Sequence, residues 1–126
     1  MAGELVPLVL LPRYTTYAGK ITDSYFTTVG MDVTQFEYAI VNFWRGKIVG
    51  TAGTPEFTVW FEESTDQSVW SECSGSPPGG DDPGEDTEVQ YVLTLKKRWF
   101  RVRIQLGEAD NVVSCWAVGF LEERLR

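Results

Sequence analysis

Residues 97–106, KRWFRVRIQL, alternate without a break: Phe100, Val102, Ile104 and Leu106 share one side, and Trp99, Arg101, Arg103 and Gln105 the other. A period of two is the signature of a half-buried strand. The rest of the chain repeats it. No window carries apolar residues at i, i+3, i+4 and i+7 for three turns, so no helix of useful length is expected. Turn residues instead punctuate short β-branched and aromatic runs.

The first of these runs covers residues 4–11, where Pro7 and Pro12 cannot donate to a ladder, so it reads as an edge strand or an arm. Residues 14–18 and 25–29 follow, separated by a turn at 19–23. Residues 36–45 are apolar in the middle of both faces, which predicts a central strand. A Gly-rich loop at 46–55 leads to a strand over 57–62, then a short one over 68–73. Residues 88–95 form another strand. Residues 97–106 and 112–121, joined by a turn at 107–111, are expected to form an antiparallel hairpin. The count is about eight strands: an all-β, single-domain antiparallel β-sandwich of the jelly-roll kind. Its expected parts are an arm at 1–13, the sandwich over 14–121 and a charged, frayed tail at 122–126.

Residues 74–86, SGSPPGGDDPGED, are acidic and rich in Pro and Gly. That composition buries little apolar surface, so a disordered, solvated loop is expected. It lacks the D-x-D-x-D-G register of a calcium loop.

Absences narrow the chemistry. With no histidine among 126 residues, the chain lacks the commonest general base and metal ligand. Nucleotide-binding glycine motifs are missing too. Glu62 and Glu63 are adjacent, so on a strand they face opposite ways and cannot cooperate. Non-enzymatic function is expected, with no cofactor and no metal. A net charge of −7 argues against a general nucleic-acid or anionic-membrane binder. The N-terminal apolar run is too short to span a membrane and is a poor signal peptide, so synthesis and retention in the cytoplasm are expected. Cys73 and Cys115 lie on separate strands; they read as two buried thiols in a reducing compartment, and can pair only if their Cα atoms come within about 7 Å.

Against the acidic total, Lys96, Lys97, Arg98, Arg101 and Arg103 cluster. Trp99, Arg101 and Arg103 on one face suit a phosphate, a sugar or an acidic partner. The plainer alternative is an outer sheet face balanced by Glu37, Glu56, Glu62 or Glu88. At Ser64–Trp70, STDQSVW, Asp66 and Ser68 can bend the chain through side chain-to-backbone hydrogen bonds, and Trp70 is expected to plug the core.

Two stretches, FEESTDQSVWSEC and YVLTLKKRWFRVRIQL, resemble a pattern of galactose-binding, discoidin-type jelly-roll sandwiches: a Ser/Asp turn before a Trp, then a strand with an aromatic between arginines. Ser64, Asp66 and Trp70 match the first part, and Arg98, Phe100 and Arg101 the second. Gln67 stands where that turn usually has Gly. MDVTQFEYAIVNFWRG, with Asp32, Val33, Thr34, Phe36 and Tyr38, resembles small helix-free virion structural proteins of tailed bacteriophages. The resemblance implies a capsid-decoration or head–tail connector protein in the virion, assembled in the host cytoplasm. Its expected partners are further copies of itself, as a homo-oligomer, and a major capsid or connector protein. The expected contact residues are Leu5, Val6, Leu8, Val9 and Leu10 on the first strand, with Trp99, Arg101 and Arg103. The alternative is a carbohydrate-binding module, its partner a glycan.

Overall fold

The computed structural model describes residues 3–18, 25–50, 56–107 and 111–125. Ten strands are found there: β1 (Leu5–Leu11), β2 (Thr16–Ala18), β3 (Tyr25–Thr27), β4 (Met31–Asp32), β5 (Phe36–Arg45), β6 (Phe57–Ser64), β7 (Ser71–Glu72), β8 (Thr87–Thr94), β9 (Trp99–Leu106) and β10 (Val112–Glu123). They form two five-stranded antiparallel sheets. The first runs β1-β10-β5-β8, with β2 also on β10; the second runs β3-β9-β6-β7, with β4 also on β9.

Ten segments resolve into eight strand positions. β1 and β2 occupy successive stretches of the same side of β10, against Ala117–Glu122 and Val112–Ser114, with Pro12 between them. β3 and β4 likewise share one side of β9. Counted so, the first position pairs with the eighth, the second with the seventh, the third with the sixth and the fourth with the fifth. That nesting is a long hairpin rolled over itself, the jelly roll expected from the strand count.

The alternation in the sequence becomes the core directly. β9 buries Phe100, Val102, Ile104 and Leu106; β5, flanked by β10 and β8, buries Ala39, Val41 and Phe43. Rings meet across the sandwich: Phe43 lies 5.8 Å from Phe57, and Phe61 lies 4.8 Å from Tyr91. Phe43, Phe61 and Phe100 are fully enclosed, so truncating any of them to Ala costs about 3–5 kcal/mol.

Three expectations change, and one choice between alternatives is decided. First, β9 and β10 do not form a hairpin. β9 pairs with β6, β3 and β4, while β10 pairs with β5, β1 and β2. β9 and β10 therefore belong to different sheets, and the two strands place their apolar faces on opposite walls of the core. Second, of the two readings of this run, edge strand or arm, residues 5–11 take the first: they pair with β10, and Leu8 and Leu11 are buried.

Third, the acidic segment is tied into the fold. Val59 and Asp81 exchange two backbone hydrogen bonds, the Asp86 N–H donates to Arg45, and the Thr94 N–H donates to Ser74. Gly80, at φ +89°, lies so close to β6 that a Cβ there would strike Thr58 and Trp60. Fourth, the C-terminal residues continue the structure. Glu122 and Glu123 belong to β10, and Arg124 donates through Nη2 to the Leu95 carbonyl at 2.9 Å and through its N–H to Gln35. The turn expected at 19–23 lies outside the described residues, as do 51–55 of the Gly-rich loop.

Candidate interaction surfaces

Two outer faces remain, one on each sheet. On the second sheet, the pairing of β6 with β9 sets Trp60 opposite Arg103 and Glu62 opposite Arg101. Glu62 is almost enclosed and receives both cations: Arg101 Nη2 at 2.9 Å and Arg103 Nε at 3.3 Å. Each guanidinium also lies over an indole, Arg103 on Trp60 and Arg101 on Trp70, both at 4.1 Å from the ring centre. Arg98 covers Trp99 at 4.9 Å and pairs with Asp32 at 3.1 Å. The row Trp99, Arg101, Arg103 is thus assembled on one face, with Glu62 supplying the acidic balance. A guanidinium stacked on an indole and held by a carboxylate has little left for an external anion, and the indole face it covers is closed to a sugar ring.

Trp70 is therefore not a core plug. It stands on the outer face beneath Arg101, its Nε1 donating to the Gln67 carbonyl at 3.2 Å. The turn before it is built by Ser64 and Asp66. The Ser64 hydroxyl accepts the Asp66 and Gln67 N–H groups, and Asp66 Oδ1 accepts those of Ser68 and Val69 at 2.8 and 3.0 Å. The N–H groups of Val69 and Ser68, then the Ser64 hydroxyl, hold the Asp66 carboxyl below the usual carboxylate range. Gln67 adopts φ +63°, the conformation that favours glycine.

Two carboxylates of the acidic segment are engaged within the fold. Asp82 grips Arg45, and Asp81 accepts the Tyr91 hydroxyl at 2.6 Å. Glu63 accepts the Lys96 and Lys97 N–H groups at 2.9 and 3.1 Å, pointing away from Glu62 as adjacent strand residues must. Among the described residues, no three His, Cys, Asp or Glu side chains are grouped to hold a metal ion. Cys73 and Cys115 are both free and buried. Burial pushes the Cys115 thiol up to about 12; burial, then Glu63 and Glu62, push Cys73 up as well.

The outer face of the first sheet is of another kind. Strand registers place its outward side chains in rows across β1, β10, β5 and β8. One row reads Val9, Val118, Asn42, Gln90; the next reads Pro7, Phe120, Ile40, Val92. Neither contains a charge. Val9 is 60% exposed, Val92 53% and Phe120 44%. At one end Trp44 and Trp116 stack at 4.3 Å, with Arg13 over Trp116 at 5.2 Å. At the other end stand Leu5, Glu122 and Tyr38. Val9, Arg13, Asn42, Val118 and Phe120 border an open recess of about 530 Å³.

Of the contact residues expected on β1, Leu5 and Val9 look outward onto this face, Val6 and Leu10 are half-buried, and Leu8 is in the core and presents no side chain to a partner. The sequence reading missed Ile40, Val92, Val118 and Phe120. Their signal was present: β10 and β5 carry apolar residues at outward as well as inward positions. Comparison of the chain with protein-family models, curated proteins and solved structures found no match.

Proposed function

We propose that this protein is a non-enzymatic structural component of a phage-type particle, a capsid-decoration or head–tail connector protein that works through protein–protein contacts. The observation that carries this reading is the uncharged, apolar outer face of the first sheet, which spans four strands and reaches the edge strand β1. Monomeric soluble proteins rarely leave so continuous an apolar surface in water, and a larger patch of this kind marks an interaction site. The resemblance of residues 32–38 to tailed-phage virion proteins supplies the kind of particle. The glycan alternative loses support because the indoles of Trp60, Trp70 and Trp99 are covered by arginines.

The test is fractionation of particles from producing cells on a density gradient, followed by mass spectrometry. The chain is expected in the particle band at a fixed ratio to the major capsid protein. Recovery solely as free protein at the top of the gradient overturns the proposal.

A further inference from the structure

We infer that the outer face of the first sheet packs against the same face of a second copy, about a two-fold axis lying across the strands at the level of Gly119. This deepens the assembly reading above by naming a partner for its main surface.

The argument begins with a knob and a hole. Phe120 on β10 leaves nearly half of its surface open to water. Two residues earlier on the same strand, Val118 lines the recess, together with Val9, Asn42, Arg13 and Phe120 itself. A two-fold axis midway between them, perpendicular to the strands, sets Phe120 of each copy over Val118 of the other. Both recesses then fill with the partner's ring, and both rings leave water. An isologous contact of this kind closes on itself.

Charge selects the same arrangement. Each copy carries −7, so two copies associate most readily through a surface that adds no repulsion. The two central rows are uncharged, and the rim charges are placed unevenly: Arg13, on the β1 side, and Glu88, on β8, lie at the Trp116 end, and Glu122 lies at the other, where β8 carries the neutral Thr94. The proposed axis exchanges the ends, so each Arg13 meets the partner's Glu122. The stacked Trp44–Trp116 pair then covers the partner's Tyr38.

Size is adequate. Four strands about 4.8 Å apart, β10, β5 and β8 offering four outward side chains and β1 three, about 6.8 Å apart, give roughly 500 Å² of flat footprint. Side-chain relief raises this towards the about 800 Å² per partner of a standard interface.

The test needs no particle, so its failure is separate from failure of the particle assignment. Sedimentation of the full chain is expected to give twice 14.2 kDa. Phe120→Ser, an exposed substitution that leaves the circular-dichroism spectrum unchanged, is expected to weaken the dimer about 30-fold. Arg13→Glu and Glu122→Arg are each expected to weaken it by about tenfold at low salt, and mixing the two variants is expected to restore a dimer, because each chain then meets its opposite charge. A wild-type chain that stays monomeric overturns the inference. So does a dimer indifferent to Phe120→Ser, as a pairing through the β1 backbone edge would be, or a mixture that fails to re-associate.

Discussion

Arg45 and Asp82 meet as a two-pronged ion pair, Nε to Oδ1 at 2.8 Å and Nη2 to Oδ2 at 3.1 Å, across 37 residues of chain. The arginine is nearly enclosed at the end of β5, where it also donates to the Gly46 carbonyl and covers the Phe57 ring. The aspartate belongs to the acidic segment and is half open to solvent. Asp82→Ala leaves the guanidinium without its fork. Discounted for the solvent at Asp82, the expected loss is about 1–3 kcal/mol. Urea unfolding measures it, and limited proteolysis should show the first new cuts within residues 77–86.

The same pair gives stability an acid limit. Burial works to raise the Asp82 carboxyl, but the Arg45 hydrogen bonds and the Gly84 N–H outweigh it, and the net shift is downward. Asp66 is lowered by backbone N–H groups, and Asp32 by the Thr34 hydroxyl and N–H. A carboxyl lowered on folding stabilises fully above its unfolded value of about 3.9 and loses that contribution as pH falls through its folded value. Tyr91 contributes to an opposite, alkaline limit. Burial, then its hydrogen bond to Asp81, raises its hydroxyl. Its contribution is complete below about 10 and is lost as pH rises beyond that. The Cys73 and Cys115 thiols, also raised by burial, begin to lose their contribution sooner, above an unfolded value of about 8.5, so thermal midpoints are expected to stay level from pH 5 to 8 and to fall on either side. A slope between pH 5 and 7 would contradict this account.

Glu62 is the keystone of the other outer face. Glu62→Gln removes the shared counter-charge of Arg101 and Arg103, which then repel across neighbouring positions of β9. The expected cost is about 2–4 kcal/mol, reduced by salt because both arginines are partly open to water. Tryptophan fluorescence offers a local readout, since Trp60 and Trp70 lose the stacked cations that cover them. Arg101→Lys, with Glu62 in place, keeps the charge but loses the planar guanidinium that meets both Glu62 and Trp70, so it is expected to cost less than Glu62→Gln.

These contacts also explain what the sequence yields and what it hides. Alternation in 36–45 and 99–106 marks strands and their buried faces, because burial is decided residue by residue. The eight-position count follows from turn residues for the same reason. Which sheet receives β9 or β10 depends on partners distant in the chain, so proximity suggested a hairpin that the jelly roll does not contain. Trp70 read as a core residue because its cover, Arg101, lies 31 positions later. The acidic segment read as solvated because Arg45 and Tyr91, which neutralise and anchor it, lie on other strands. The apolar outer face was overlooked because each of its residues looks ordinary within its own strand; only the register lines up Val9 with Val118 and Phe120 with Ile40.

Gln67 departs from the glycine common in turns of this kind, and the backbone shows the consequence. At φ +63° its side chain is in the left-handed region, which costs a non-glycine residue about 1 kcal/mol. Gln67→Gly relieves that strain, partly offset by greater freedom in the unfolded chain. A net gain of about 0.5 kcal/mol is expected, measured by urea unfolding. The hydrogen bonds of Ser64 and Asp66 are untouched. A loss of stability would mean that the Gln67 side chain, which packs beside Gly30, outweighs the strain.

Cys115 sits on β10 facing the core, and Cys73 follows β7 on the other sheet, so neither is presented to solvent. Reaction with a disulfide reagent requires a thiolate, and burial that pushes the Cys115 thiol up to about 12 removes nearly all of it at neutral pH. Labelling of the native chain at pH 8 is therefore expected to be at least about a thousand-fold slower than in urea. Both thiols should react in full once the chain is unfolded without reductant, because no disulfide holds them. Their native labelling rates should follow the opening of the core, so Phe43→Ala is expected to accelerate both, and Phe120→Ser, on the outer face, neither. Rapid native labelling of Cys115 would show that the first sheet opens far more readily than its packing implies.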